Sequence, residues 1–137
     1  MGSSRLSVLL CSLFLLSVVP LTHVTADESD SWHDHVVISE VLASASSASY
    51  NGTDWNGDGY IGSSSDQFIE LWNPTDQTIN ISNWVLDDII GGGSPACTIG
   101  WDTELAPGAR LAFFRDYTQI ELDYWDGDTV NLLDDQG

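Results

Sequence analysis

Beyond about residue 26, the chain holds no apolar repeat at helical spacing long enough to build a helix. Short apolar runs recur instead, each bounded by turn-forming residues, and this restricts the chain to an all-β fold. "HVVISEVLA" is the first run; strict alternation predicts Val37 and Val41 on one face and Ile38 and Leu42 on the other. "DQFIELWN" sets Ile69 and Leu71 against Phe68, Glu70 and Trp72. "TINISNWVLDD", "ACTIGW", "ELAPGARLAFFRD" and "GDTVNLLDDQG" follow, separated by Pro74, by the glycines of "GGGSP", by Pro107–Gly108 and by Gly127–Asp128. Six strands at this spacing, rich in β-branched and aromatic residues, predict a β-sandwich with no internal repeat.

The first residues read differently. "MGSSRLS" carries Arg5, "VLLCSLFLLSVV" is apolar, and "PLTHVTA" ends on small residues. Residues 1–26 are therefore expected to be a secretory signal peptide, cut after Ala26. The apolar run is well short of the roughly 20 residues of a spanning helix, so no stable membrane span is expected after cleavage. Residues 27–35 form an acidic, flexible segment, and residues 36–137 the folded domain. The expected location is extracellular or at the cell surface.

Charge narrows the partners. All 21 acidic residues lie beyond Ala26, opposed there only by Arg110 and Arg115, and the chain has no lysine. Removing Arg5 with the leader takes the formal charge from −18 to −19. Such a field repels the phosphates of nucleic acid and of anionic lipid, and it attracts cations. A solvated acidic surface with no partner is the alternative. Cys97 is the one cysteine of the mature chain, so no intramolecular disulfide is available and burial as a small hydrophobe is expected.

One stretch carries a candidate site. In "DWNGDGYIGSSSDQ", Asp54, Asn56 and Asp58 take the first, third and fifth places of a calcium loop. Gly59 takes the sixth, where the chain must turn, and Tyr60 offers its carbonyl at the seventh. The twelfth place, which calls for a bidentate Glu, holds Ser65, and Asp66 follows one residue later. An extra residue in the loop brings Asp66 in as the closing ligand. The expectation is a weak structural Ca2+ site of the extracellular class, about 10⁻⁴–10⁻³ M. The other reading is a metal-free polar turn, since Asn56–Gly57 and Asp58–Gly59 are both strong turn formers.

Other constellations are thinner. Asp87 and Asp88 either join Asp126 and Asp128 in a second cation patch or end their strands in solvent. Glu70 needs a cation, and only Arg110 and Arg115 offer one. His33 and His35 have metal-compatible spacing near a terminus. Trp55, Tyr60, Trp72, Trp101 and Trp125 suit sugar stacking where exposed; Trp84 is assigned to the core. Asn51 and Asn80 fit the glycosylation triplet, which matters only in a host that uses it. No nucleophile with a base and no phosphate loop stands out, so the chain does not read as an enzyme.

Taken in order, "VVISEVLA", "DQFIELWNPTDQTINISNWVLDD", "LAPGARLAFF" and "GDTVNLLDDQG" resemble the lamin tail domain. The second segment is the most specific: "FIEL", an aromatic residue and "NP", then a return strand ending in Trp-x-Leu-x-Asp. The resemblance implies an immunoglobulin-like β-sandwich that binds, adheres or assembles rather than catalyses. In the family, the final turn is followed by at least one more strand; this sequence stops on it at Gly137, so the last strand is expected to be missing and the chain to be a fragment. Three functions follow as expectations: an adhesion or assembly module for an extracellular protein or polysaccharide, the accessory N-terminal domain of a larger secreted hydrolase of nuclease or phosphatase type, or a carbohydrate-binding module.

Overall fold

The computed structural model describes residues 34–135; the leader, His33 and most of the acidic segment lie outside them. Eight strands are described: β1 (Val37–Leu42), β2 (Phe68–Trp72), β3 (Ile79–Asn80), β4 (Val85–Asp87), β5 (Cys97–Thr98), β6 (Glu104–Leu105), β7 (Arg110–Phe114) and β8 (Asn131–Leu133). A 3₁₀ turn at Ala48–Tyr50 and the four-residue helix α1 (Arg115–Thr118) interrupt them. No helix among the described residues is long and apolar enough to cross a membrane. The strands form antiparallel sheets in the orders β1-β2-β7, β3-β6 and β5-β4-β8.

Six predicted runs become eight strands because two of them fold back. In "TINISNWVLDD" the chain turns at Asn83 (φ 66°), where Trp84 N–H donates to the Ile81 carbonyl. β3 and β4 then fall in different sheets. In "ELAPGARLAFF" the Pro107–Gly108 turn separates β6 from β7.

β1 corrects the expected alternation. It pairs Ile38 with Leu71 and Val41 with Ile69, with a register shift between Ile38 and Glu40. Cross-strand partners share a face. Ile38 and Val41 are therefore on one side, and Val37 and Leu42 on the other. The extra residue of a bulge reverses the phase of everything beyond it. Ser39, inside the bulge, turns its hydroxyl onto Glu70.

The core is one cluster. Ile69 and Leu71 of β2, Leu86 of β4, Leu105 of β6 and Phe113 of β7 meet Val36, Ile81, Ile99, Ile120 and Leu122. Each fully buried aliphatic side chain contributes about 1.5–3 kcal/mol. Trp84 packs against this cluster without being fully buried, and Cys97 does the same as a half-buried free thiol. Burial pushes the Cys97 thiol above its ordinary value, which favours its protonated form.

Asn73, the Asn of "NP", is completely buried and joins three segments. Its amide donates to the carbonyls of Gln77 (2.7 Å), Leu105 (2.8 Å) and Ala106 (3.2 Å). Its side-chain oxygen accepts from Thr75 N–H (3.0 Å) and the Thr75 hydroxyl (2.7 Å). It ties the end of β2 to the turn before β3 and to the β6–β7 turn.

Candidate functional site

β1 and β2 are joined by a long polar loop, and the structure closes that loop at its base. Ala45 N–H donates to the Ser63 carbonyl at 3.1 Å. Gly52 lies so close to the Ser46 carbonyl that a Cβ there would sit 1.7 Å from its oxygen, so only glycine fits. Asp66, fully buried, faces up into the loop. Its carboxylate accepts from Trp55 N–H (2.7 Å), Gly62 N–H (2.8 Å), Asn56 N–H (3.4 Å) and the Ser65 hydroxyl (3.4 Å). Burial alone pushes the Asp66 carboxyl up; the Gly62, Trp55 and Asn56 amides and Ser65 outweigh it, leaving the group below its ordinary 3.8.

Above this base the loop winds around Asp54. That carboxylate accepts from the N–H groups of Gly57 (2.8 Å), Asp58 (3.2 Å) and Gly59 (2.9 Å). Gly57 and Gly59 have φ of 76° and 87°, the left-handed region that lets the chain turn twice in four residues. Asn56 accepts from Asp58 N–H, and Asp58 accepts from Tyr60 N–H at 2.7 Å. The Asn56 amide donates to Asp58 (3.2 Å) and to Asp116 of α1 (3.0 Å), so a fourth acidic residue joins Asp54, Asp58 and Asp66 from another element. Trp55 is half exposed, its ring 5.9 Å from that of Phe68, and Tyr60 stands in solvent.

Asp54, Asn56, Asp58 and Tyr60 thus lie together on the loop, with Asp66 beneath them holding the backbone. Among the described residues, no three His, Cys, Asp or Glu side chains converge closely enough to hold a metal by themselves. Any cation here needs the Asn56 oxygen and carbonyl groups as well. These are the hard oxygens that calcium takes.

Neither arginine neutralises the loop. Arg110 pairs with Glu70 at 2.7 Å and lies 4.8 Å over the Trp72 ring; Arg115 pairs with Glu121 at 2.7 Å. Of the two candidate partners for Glu70, Arg110 is the one observed. Ser39, then Arg110, holds the Glu70 carboxyl below its ordinary 4.5 against the effect of burial. His35 is exposed and pairs with Asp34. Asn51 and Asn80 are both exposed, Asn51 at φ 55° within the β1–β2 loop and Asn80 in β3.

A second feature was only partly foreseen. Asp87 and Asp88 do not end β4 in solvent; both are buried. The glycine turn after β4 wraps around Asp88, whose carboxylate accepts from Ile89 N–H (2.7 Å) and Ser94 N–H (2.9 Å). Burial raises its carboxyl, and the Ser94 and Ile89 donors bring it below the ordinary value. Asp88 and Asp128 both line a cleft of about 620 Å³, with Glu121, Asp123, Tyr124 and Trp125. Asp87 and Asp126 are not part of its wall. The cleft joins residues far apart in sequence, so spacing gave no signal for it.

Gln67 is the other residue sequence reasoning missed. Fully buried, it donates to the Leu122 carbonyl (2.8 Å) and to the Ala43 carbonyl, and accepts from Leu122 N–H (3.2 Å). "DQ" before β2 is therefore a double anchor, with Asp66 for the long loop and Gln67 for the cleft segment.

Antiparallel sheets closed over one apolar core, with almost no helix, define an all-β domain of the immunoglobulin-like kind. Residues 30–137 match the family described as Lamin Tail Domain, and the chain belongs to that family. No curated protein matched the chain, and neither did any solved structure.

Proposed function

We propose that this chain is a secreted, non-catalytic attachment or assembly module whose β1–β2 loop takes calcium weakly. One observation supports the calcium reading. Asp58 and Asp116 both accept from the Asn56 amide and Asp54 lies in the same turn, while both arginines of the described residues are engaged elsewhere. Clustered carboxylates without a counter-charge repel one another, and a divalent cation relieves that. Asp54, Asp58, the Asn56 oxygen and the Tyr60 carbonyl would hold it, with Asp66 positioning the backbone. The test is a thermal melt in calcium and in chelator, in which calcium raises the midpoint in the native chain but not in Asp54→Asn/Asp58→Asn. An unchanged midpoint removes the calcium reading and leaves a metal-free turn.

The cleft favours a polysaccharide as the attached partner. Tyr124 and Trp125 offer rings about half and four-fifths exposed, and Asp123, Asp128 and Glu121 offer acceptors for hydroxyl groups. Aromatic faces with adjacent carboxylates suit sugar rings, whose apolar faces stack while their hydroxyls donate. Titrating oligosaccharides against tryptophan fluorescence is expected to give a saturable change that Trp125→Ala abolishes. A flat titration across a glycan panel rules a sugar out.

A further inference from the structure

Among the described residues, no strand pairs with the outer edge of β7. β7 joins β2 in a continuous register from Trp72↔Arg110 to Phe68↔Phe114. Two backbone bonds beyond its ends fix which peptide groups face β2: Asn73 N–H to the Ala109 carbonyl (2.9 Å), and Arg115 N–H to the Gln67 carbonyl (3.0 Å). Residues alternate in an antiparallel ladder. Leu111 and Phe113 therefore turn their peptide groups toward β2, and the N–H groups of Arg110, Ala112 and Phe114 point away. Among the described residues β2 is the only strand paired with β7. A groove of about 420 Å³ runs along this edge, walled by Leu111, Ala112, Phe113, Phe114 and Tyr117.

Protected edges carry lysine, proline or a bulge. β7 has no lysine or proline, its register has no bulge, and Arg110, its one charge, is held by Glu70 and Trp72. Charge selects the occupant. Asp116 and Asn56 line the Phe114 end of the groove, with Asp58 bonded to Asn56, and Thr103 lines it between exposed Asp102 and Glu104. A second copy would bring another −18 to this surface. We propose that the outer edge of β7 is a strand-addition site that accepts an extended, lysine- or arginine-bearing segment of another protein. Main-chain hydrogen bonds to Arg110, Ala112 and Phe114 give the affinity, and the acidic rim selects the basic strand.

The test uses the chain with two probe peptides of alternating pattern, valine–lysine and valine–glutamate. The valine–lysine peptide is expected to bind, more weakly as salt rises, and to slow hydrogen exchange at the Ala112 and Phe114 amides. Ala112→Pro removes an outward donor without touching the β2 ladder, and it is expected to weaken binding by about tenfold or more. If that variant does not fold, Asp116→Lys, at an exposed position, is expected to weaken the lysine peptide and not the glutamate one. Four results overturn the proposal. These are no binding of the lysine peptide, equal binding of the glutamate peptide, Ala112 and Phe114 amides already protected in the free chain, or their protection rising with protein concentration through self-pairing.

Discussion

Asn73 shows how much a single buried amide can hold. It joins β2 to two turns through three donated and two accepted bonds, of which the bond to the Leu105 carbonyl is buried and the others are partly so. Asn73→Ala takes the side-chain partner from the buried Leu105 carbonyl and from the part-buried Thr75 N–H, at about 1–3 kcal/mol for each group that water does not reach. We expect a loss of about 2–4 kcal/mol, read in denaturant melts. Asn73→Asp is expected to be worse at neutral pH, because its carboxylate would face the Leu105 and Gln77 carbonyls. A change below about 0.5 kcal/mol for Asn73→Ala would place the residue among neutral surface positions instead. Asp66 carries a second prediction. Its native carboxyl lies below 3.8 and that of Glu70 below 4.5. A depressed native value contributes stability above the unfolded value and loses it as pH falls through the native one. The chain should therefore weaken as pH drops below about 4.5. Asp66→Asn should start less stable at pH 7 and show a shallower acid slope. An identical slope in the variant would mean that the acid sensitivity belongs to Glu70 and Asp88.

At the scale of elements, the strands were legible and their partners were not. Alternation marks β2 plainly, because the central strand of its sheet must sort Ile69 and Leu71 from Glu70 and Trp72. β3, β5 and β6 pair over two residues each, too little for a pattern. The β1 bulge falls on Ser39 and Glu40, both polar, so no apolar residue exposed the phase change. Local chemistry carried the β1–β2 loop: Asp54, Asn56 and Asp58 bond within their own few residues, as their spacing implies. Asp66 and Asp88 were harder. Acidic residues in a chain this negative read as solvent-facing, yet each is buried and held by backbone N–H groups. The cleft was invisible for a different reason, since it exists only once the glycine turn and the 121–128 segment meet.

For the molecule as a whole, charge is the dominant fact. At −18, self-repulsion opposes the compact state, and any added salt relieves part of it. The calcium melt must therefore be read against sodium chloride of matched ionic strength. A site of about 10⁻³ M affinity, given calcium at about ten times that, adds about 1.4 kcal/mol to the folded state. For a domain of this size that is about 5–10 °C in Tm beyond the sodium control. A rise matched by sodium would assign the effect to screening and not to the loop.

The closed base of the β1–β2 loop has a consequence for change over time. The Ala45–Ser63 bond, the Gly52 contact and the Asp66 carboxylate fix the loop where it leaves the sandwich. Asp66 also grips the Trp55 and Asn56 amides, whereas the hydrogen bonds of residues 57–60 stay within residues 54–60, so this tip can change in length and chemistry while the clamp and the core beneath it keep one shape. A lineage bearing this scaffold can revise what it touches without having to solve folding again.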